Sequence, residues 1–128
     1  SSNGDFAVFS SNIVFTRLEE LALLRAEALA VLGQRLDAIA LLNTVKKSRG
    51  VKSFAENLGL DLIDEIFQER RRELMGEGWR WYDQVRYHKI KNNNAAFRDL
   101  IQRKGIYWPI AKQVLNANSM LSQNSYWK

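Results

Sequence analysis

Between Thr16 and Leu32 the chain offers a helix with almost no side to turn toward water, and this restricts its fold more than any other stretch. At about 100° per residue, Leu18, Leu21, Ala22, Leu29 and Leu32 share one face, while Leu24, Ala28 and Val31 widen it until only Glu20 and Glu27 mark a polar strip. The pattern predicts a helix packed on several sides, capped by Thr16 with Glu19 three residues on, and stopped at Gly33. A chain of 128 residues fits one domain. Such a domain buries roughly two-thirds of its unfolded surface, enough to enclose a helix of this kind. Ahead of it, the turn-prone Ser-Ser-Asn-Gly-Asp start leads into Phe6 to Phe15, which reads as an extended segment.

A second helix fits Arg35 to Ser48. Leu36, Ile39 and Ala40 lie on one face, with Leu41, Leu42 and Val45 elsewhere, and Lys46, Lys47 and Arg49 suit its negative C-terminal end before Gly50. The two helices form a short-loop hairpin in which Ala26, Leu29, Gly33, Ala38 and Leu42 resemble the spacing of a tetratricopeptide repeat. A single unit of that kind needs flanking elements to cover it. Asp61 is a suitable N-cap for a third helix reaching about Met75, with Asp64 and Glu65 in its first turn and Ile63, Ile66, Phe67 and Leu74 as its apolar stripe. Arg70 falls inside that stripe and must be paired, because an uncompensated buried charge costs several kcal/mol; Glu69, Glu73 and Glu77 are the nearest acids. The Gly76-Glu77-Gly78 break re-aims the chain into an aromatic-rich fourth helix from Trp79 to about His88. A polar loop at Lys91 to Asn94, a short segment around Phe97 to Gln102 and an irregular tail with Pro109 and Trp127 complete the chain. The expected fold is all-α: a tetratricopeptide-like hairpin, further helices and an irregular C-terminal tail, as one unit over residues 1–128.

Several chemistries are excluded by residue type. With no cysteine there is no disulfide, thiol nucleophile or cysteine-held metal, and a single histidine, His88, rules out a multi-histidine site. His88 reads as a surface or capping residue. Glu65, Glu69, Glu73 and Glu77 repeat every four residues, but acids on one helix side cannot oppose each other across a bond. Pairing with Arg70, Arg71, Arg72 and Arg80 is the simpler expectation. Gly76-Glu77-Gly78 lacks the third glycine and preceding strand of a nucleotide fingerprint and reads as a turn. Trp79, Trp81, Tyr82 and Tyr87 could stack on sugars or bases, yet Trp81 and Tyr82 cannot share a helix face with Trp79 and are expected in the core. No catalytic residue, metal ligand or cofactor site is identified. The formal charge of +5 suits an anionic partner, but the Glu-Arg-Arg-Arg-Glu run at 69–73 carries its own counter-charges, which argues against nucleic acid. No apolar stretch approaches a membrane span, and Ser1 to Ser11 lacks the charged start and apolar centre of a targeting signal.

Three ordered blocks resemble the C-terminal part of the SusD/RagB outer-membrane nutrient-binding lipoproteins. Arg17-Leu18-Glu19-Glu20, then Leu24-Arg25-Ala26-Glu27-Ala28 and Leu41-Leu42-Asn43-Thr44-Val45, are similar to the family's R-L-x-E, A-E-A and L-N-x-V signatures. Glu69-Arg70-Arg71-Arg72-Glu73-Leu74 followed by Glu77-Gly78-Trp79-Arg80-Trp81-Tyr82-Asp83-Gln84-Val85-Arg86 resembles E-R-R-x-E-L…E-G-x-R-W-x-D-L-x-R. Trp108-Pro109-Ile110 and Leu121-Ser122-Gln123-Asn124 resemble the W-P-I-P…L-x-Q-N ending. Gln84, Trp79 and Ala111 depart from the usual Leu, polar residue and second Pro, and none removes a charge from the block.

The resemblance implies a non-catalytic protein without cofactor, held as a lipoprotein on the outer leaflet of the outer membrane. There it would capture oligosaccharides or peptides beside a TonB-dependent transporter of the SusC type. It also implies members several times longer, with anchor and ligand-contacting residues upstream, so the chain resembles a C-terminal piece. Arg17, Glu27, Glu69, Arg70, Arg71, Glu73, Glu77, Gly78, Arg80, Trp81, Asp83, Arg86, Trp108 and Pro109 match the motifs and are implied to be scaffold. A free-standing tetratricopeptide-type peptide-binding module is the alternative.

Overall fold

The computed structural model describes residues 16–56 and 59–128, so the lead-in expected over Phe6 to Phe15 lies outside the described residues. Helices α1 (Leu18–Val31), α2 (Arg35–Ser48), α3 (Leu62–Glu73), α4 (Arg80–Lys91), α5 (Ala95–Gln102) and α6 (Lys112–Ala117) follow in order, with a 3-10 turn at Ser125–Trp127. No strand occurs among the described residues, and the fold is all-α.

α1 and α2 pack as an antiparallel hairpin, α3 lies across both, α4 rests on α3 and α5 on α4. Gly33 at φ +80° stops α1: the Gln34 amide donates back to the Leu29 carbonyl at 2.9 Å and the Gly33 amide to Ala30 at 3.2 Å. The same arrangement at Gly50, φ +66°, ends α2. Leu23, Ala26, Ala38, Leu42, Val45, Phe54, Leu62 and Ile66 form one core, where the alanines let the hairpin helices approach closely. Phe54 closes it from the loop, held by Asn43, whose amide side chain accepts from the Phe54 N–H (2.7 Å) and donates to its carbonyl (3.0 Å).

The hairpin departs from the sequence expectation in three places. Thr16 does not cap α1: Arg17 occupies the cap position without a side-chain bond, and the Thr16 hydroxyl donates to the Glu20 carboxylate at 2.8 Å. The supposed polar strip is the inner side. Glu20 and Glu27 are buried with Leu23 and Ala26, whereas Leu18, Leu21, Leu24, Val31 and Leu32 are exposed. In α2, Leu36 is likewise exposed, and Ala38, Leu42, Val45 and Lys46 face inward. The reason is that Glu27 and Lys46 find charged partners on other helices, which removes the penalty that hydropathy assigns to them.

α3 begins where expected: the Asp61 carboxylate accepts from the Asp64 amide at 3.1 Å. Leu62 joins Ile66, Phe67 and Leu74 as its buried apolar residues, with Ile63 half-buried. α4 starts at Arg80, with Trp79 as its cap residue, and runs to Lys91, where Asn92 at φ +48° ends it. The short segment is a true helix, α5, capped by Asn94 accepting from the Phe97 amide at 3.2 Å. The tail is less irregular than expected. Gln123 clamps Ile110 through both its amide and its carbonyl (3.0 and 2.9 Å), Asn124 donates to the Trp108 carbonyl (2.8 Å) and Trp127 to that of Tyr107 (2.7 Å).

Candidate functional site

The distinguishing feature is a lattice of arginines and carboxylates that passes through the helix interfaces. At its centre Arg70 is only 2% exposed. Its Nε lies 3.2 and 3.1 Å from the two Asp83 oxygens and its Nη2 3.0 Å from Oδ1, so α3 grips α4 in a forked contact. Nη1 reaches the Glu20 carbonyl on α1 at 3.4 Å. Asp83, equally buried, also accepts from Arg86 Nη2 at 2.8 Å. Arg86 then forks onto Glu27 through Nε (2.8 Å) and Nη2 (2.9 Å), tying α4 to α1. Three residues further along, at the C-terminal end of α3, Arg17 donates to the Glu73 carboxylate (2.9 Å), the Glu73 carbonyl (2.8 Å) and Glu77 (2.7 Å). Arg49, at the end of α2, also pairs with Glu73. Two charge clusters thus tie four helices together.

A second set of ties secures the opposite edge. Buried Lys46 lies 3.2 Å from Glu65 and 3.8 Å from Glu69, joining α2 to α3. Lys91 lies 2.9 Å from both Asp61 and Asp64, and the Tyr87 hydroxyl donates to Asp64 at 3.0 Å. Proton affinities follow these contacts. Hydrogen bonds donated to Glu27 outweigh burial and raise the Arg86 affinity for its proton, and for Arg17 desolvation is opposed and outweighed by Glu73 and Glu77. Burial alone would raise Asp61, but Lys91 and the Asp64 amide hold it below the usual carboxylate value. Lys91 is raised by the same two acids against desolvation, and Tyr87 is raised by burial and by Asp64.

The pairing differs from the one expected within the α3 run. Arg70 meets none of Glu69, Glu73 or Glu77, because a side chain on the buried face of a helix points at the neighbouring helix and cannot fold back along its own. Glu69 does pair with Arg72, as expected, at 2.9 Å, whereas Glu73 and Glu77 pair with Arg17. Arg71 and Arg80 have no carboxylate partner among the described residues. Gly76 and Gly78 take φ +84° and +82°, conformations that side chains resist, which makes the turn between α3 and α4. Trp81 is half-buried with its ring 6.1 Å from Phe97, while Tyr82, expected in the core and off the Trp79 face, is 59% exposed with its ring 6.2 Å from that of Trp79, as an i, i+3 spacing allows. His88 is neither a surface nor a capping residue: it lies within α4, half-buried, and stacks on Phe97 at 4.1 Å. Trp108 and Pro109 are exposed, and their block is held through backbone groups by Asn124 and Gln123.

Sequence reasoning missed the roles of Glu20 and Lys46. Lys46 lies four residues after core Leu42, a spacing that could have marked it as inward-facing. Glu20 offers no such signal. Two adjoining cavities of about 710 and 250 Å³ open between α3 and α4, both lined by Arg71 and Arg80. No group of three metal-ligating side chains occurs among the described residues. No helix there is long and apolar enough to cross a membrane.

The sequence model of the SusD family matches residues 3–100. SusD-like protein P38 of Formosa agariphila is 34% identical over 127 residues, covering 92% of this chain and 25% of that protein. The crystal structure of a SusD superfamily protein from Bacteroides thetaiotaomicron superposes with a TM-score of 0.82 at 52% identity, over 91% of this chain and 26% of that one. The chain therefore spans about a quarter of the length of either relative.

Proposed function

The chain belongs to the SusD family, and from that premise we propose that it serves a surface-exposed, non-catalytic nutrient-binding protein of the outer membrane. In this reading the native polypeptide captures an oligosaccharide, or a peptide, and passes it to a TonB-dependent transporter of the SusC type. The segment in hand is mainly scaffold. The observation that carries this is the lattice: the motif residues Arg17, Arg70, Asp83, Arg86, Glu27, Glu73 and Glu77 pair with one another across helix interfaces, so that their charges hold helices together. Glu69 and Gly78 serve the same framework through an ion pair and a turn. Ligand contacts then fall to other parts of the polypeptide.

The peptide-binding module is less well supported. A concave groove requires stacked hairpins, and the described residues hold one hairpin, α1 with α2, covered by α3 rather than by a second copy of itself.

Calorimetric titration of the native polypeptide with a panel of neutral and acidic oligosaccharides and short peptides tests the proposal. The expected result is saturable binding of one class with no release of reducing ends or cleaved peptide on long incubation. Turnover of any panel member, or no binding by a polypeptide that is folded, would contradict it.

A further inference from the structure

Among the arginines of α1 to α4, exposed Arg25, Arg71 and Arg80 have no carboxylate partner among the described residues. Arg17, Arg49, Arg70, Arg72 and Arg86 are all paired, yet Arg71 on α3 and Arg80 at the start of α4 line the same cleft with no ion pair among the described residues, because the acids that also line it, Asp83 and Asp64, are taken by Arg70 and Arg86 and by Lys91. The floor of that cleft is partly apolar: Leu74, Met75 and Trp79 line it, and Met75 is 83% exposed. With Gln68 and Gln84 at its sides, it combines two open guanidiniums, amide hydrogen-bonding groups and an uncovered apolar surface. The excess of positive over negative residues, 19 against 14, means that acids matching these arginines are in short supply within the chain.

We infer that the α3–α4 cleft is a docking surface for an acidic segment of the same native polypeptide lying outside these 128 residues, with Asp or Glu carboxylates on Arg71 and Arg80 and an apolar side chain over Met75. The relatives are about four times as long as the chain, which provides the polypeptide to fill it. Charge complementarity selects the chemistry, since planar guanidiniums favour forked contacts with carboxylates. The arrangement also repeats what the lattice does internally, where each guanidinium ties one helix to another. This inference does not depend on which nutrient is captured.

The test is zero-length carbodiimide coupling in the native polypeptide carrying Arg71→Lys or, separately, Arg80→Lys, read by peptide mass spectrometry. Lys91, 2.9 Å from both Asp61 and Asp64, couples in the same digest and calibrates the yield. The expected product joins position 71 or 80 to an Asp or Glu outside residues 1–128, with a yield unchanged by dilution because the link is intramolecular. Links only within the 128 residues, links only between molecules, or no link while Lys91 couples would each overturn the inference. Arg71→Gln with Arg80→Gln gives the second readout. A melting temperature several degrees lower in the native polypeptide supports docking. An unchanged melting temperature, with weakened binding of a glucuronate-containing oligosaccharide, would make the cleft an anion site for ligand and overturn it.

Discussion

Replacing Arg70 by Met removes the guanidinium while keeping most of the volume, so the effect isolates charge rather than a cavity. Three N–H contacts to Asp83 at 3.0 to 3.2 Å are lost, and Asp83, 3% exposed, keeps only Arg86 at 2.8 Å. Stripping one partner from a buried pair costs about 3–5 kcal/mol. Because Arg86 still neutralises one Asp83 oxygen, the lower end applies, about 3 kcal/mol, or roughly a 10 °C fall in melting temperature for a unit of this size. Asp83→Leu alone strands the Arg70 guanidinium and should cost as much or more. The double variant leaves neither charge stranded, so its loss should fall short of the summed single losses by about 2 kcal/mol, as coupled neighbours do. Urea unfolding followed by circular dichroism reads all four species. An Arg70→Met protein within about 0.5 kcal/mol of the parent, below the cost of any broken buried pair, or strictly additive losses, would refute the reasoning.

Three further changes have defined outcomes. Gly105→Ala places a Cβ 2.6 Å from a Leu100 methyl and 2.8 Å from the Tyr126 ring, so urea unfolding should show a loss of about 1–3 kcal/mol and weaker protection of the tail from protease. Lys104, directly before it, holds φ +61° to end α5, and Lys104→Gly should raise stability by about 0.5–1 kcal/mol in the same assay by relieving that conformation. Asp61→Asn keeps the oxygen that caps α3 but loses the charge that Lys91 pairs with. Since the folded protein holds the Asp61 proton affinity below its ordinary value, the charged form contributes stability above the unfolded carboxylate range and loses it as pH falls through the folded value. Half exposure of the side chain limits this to about 0.5 kcal/mol, and stability curves of parent and variant should differ at neutral pH and converge on acidification.

Much of the architecture was legible because its signals are local. Asp61 before an amphipathic run, Gly33 and Gly50 after one, and the Gly76 and Gly78 turn each act through their own backbone, so position in the chain suffices to place them. The faces of α1 were not legible. Hydropathy treats Glu27 as a group seeking water, but its partner Arg86 stands 59 residues away and makes burial acceptable, while the leucines opposite remain uncovered. Arg70 shows the same limit on a smaller scale: the need for a partner follows from its place in an apolar stripe, but the choice of Asp83 over three nearer acids depends on how α3 and α4 cross. Tyr82 was misplaced because aromatic content suggests burial without saying which side of α4 is covered.

Service in a surface protein larger than this chain is the central proposal, and fractionation of the source cells addresses it directly. An antibody raised against the chain, applied to intact cells with and without external protease, should detect a membrane-fraction band about four times the 14.8 kDa of this sequence, lost when protease is added outside. A soluble band near 14.8 kDa that survives external protease would contradict it.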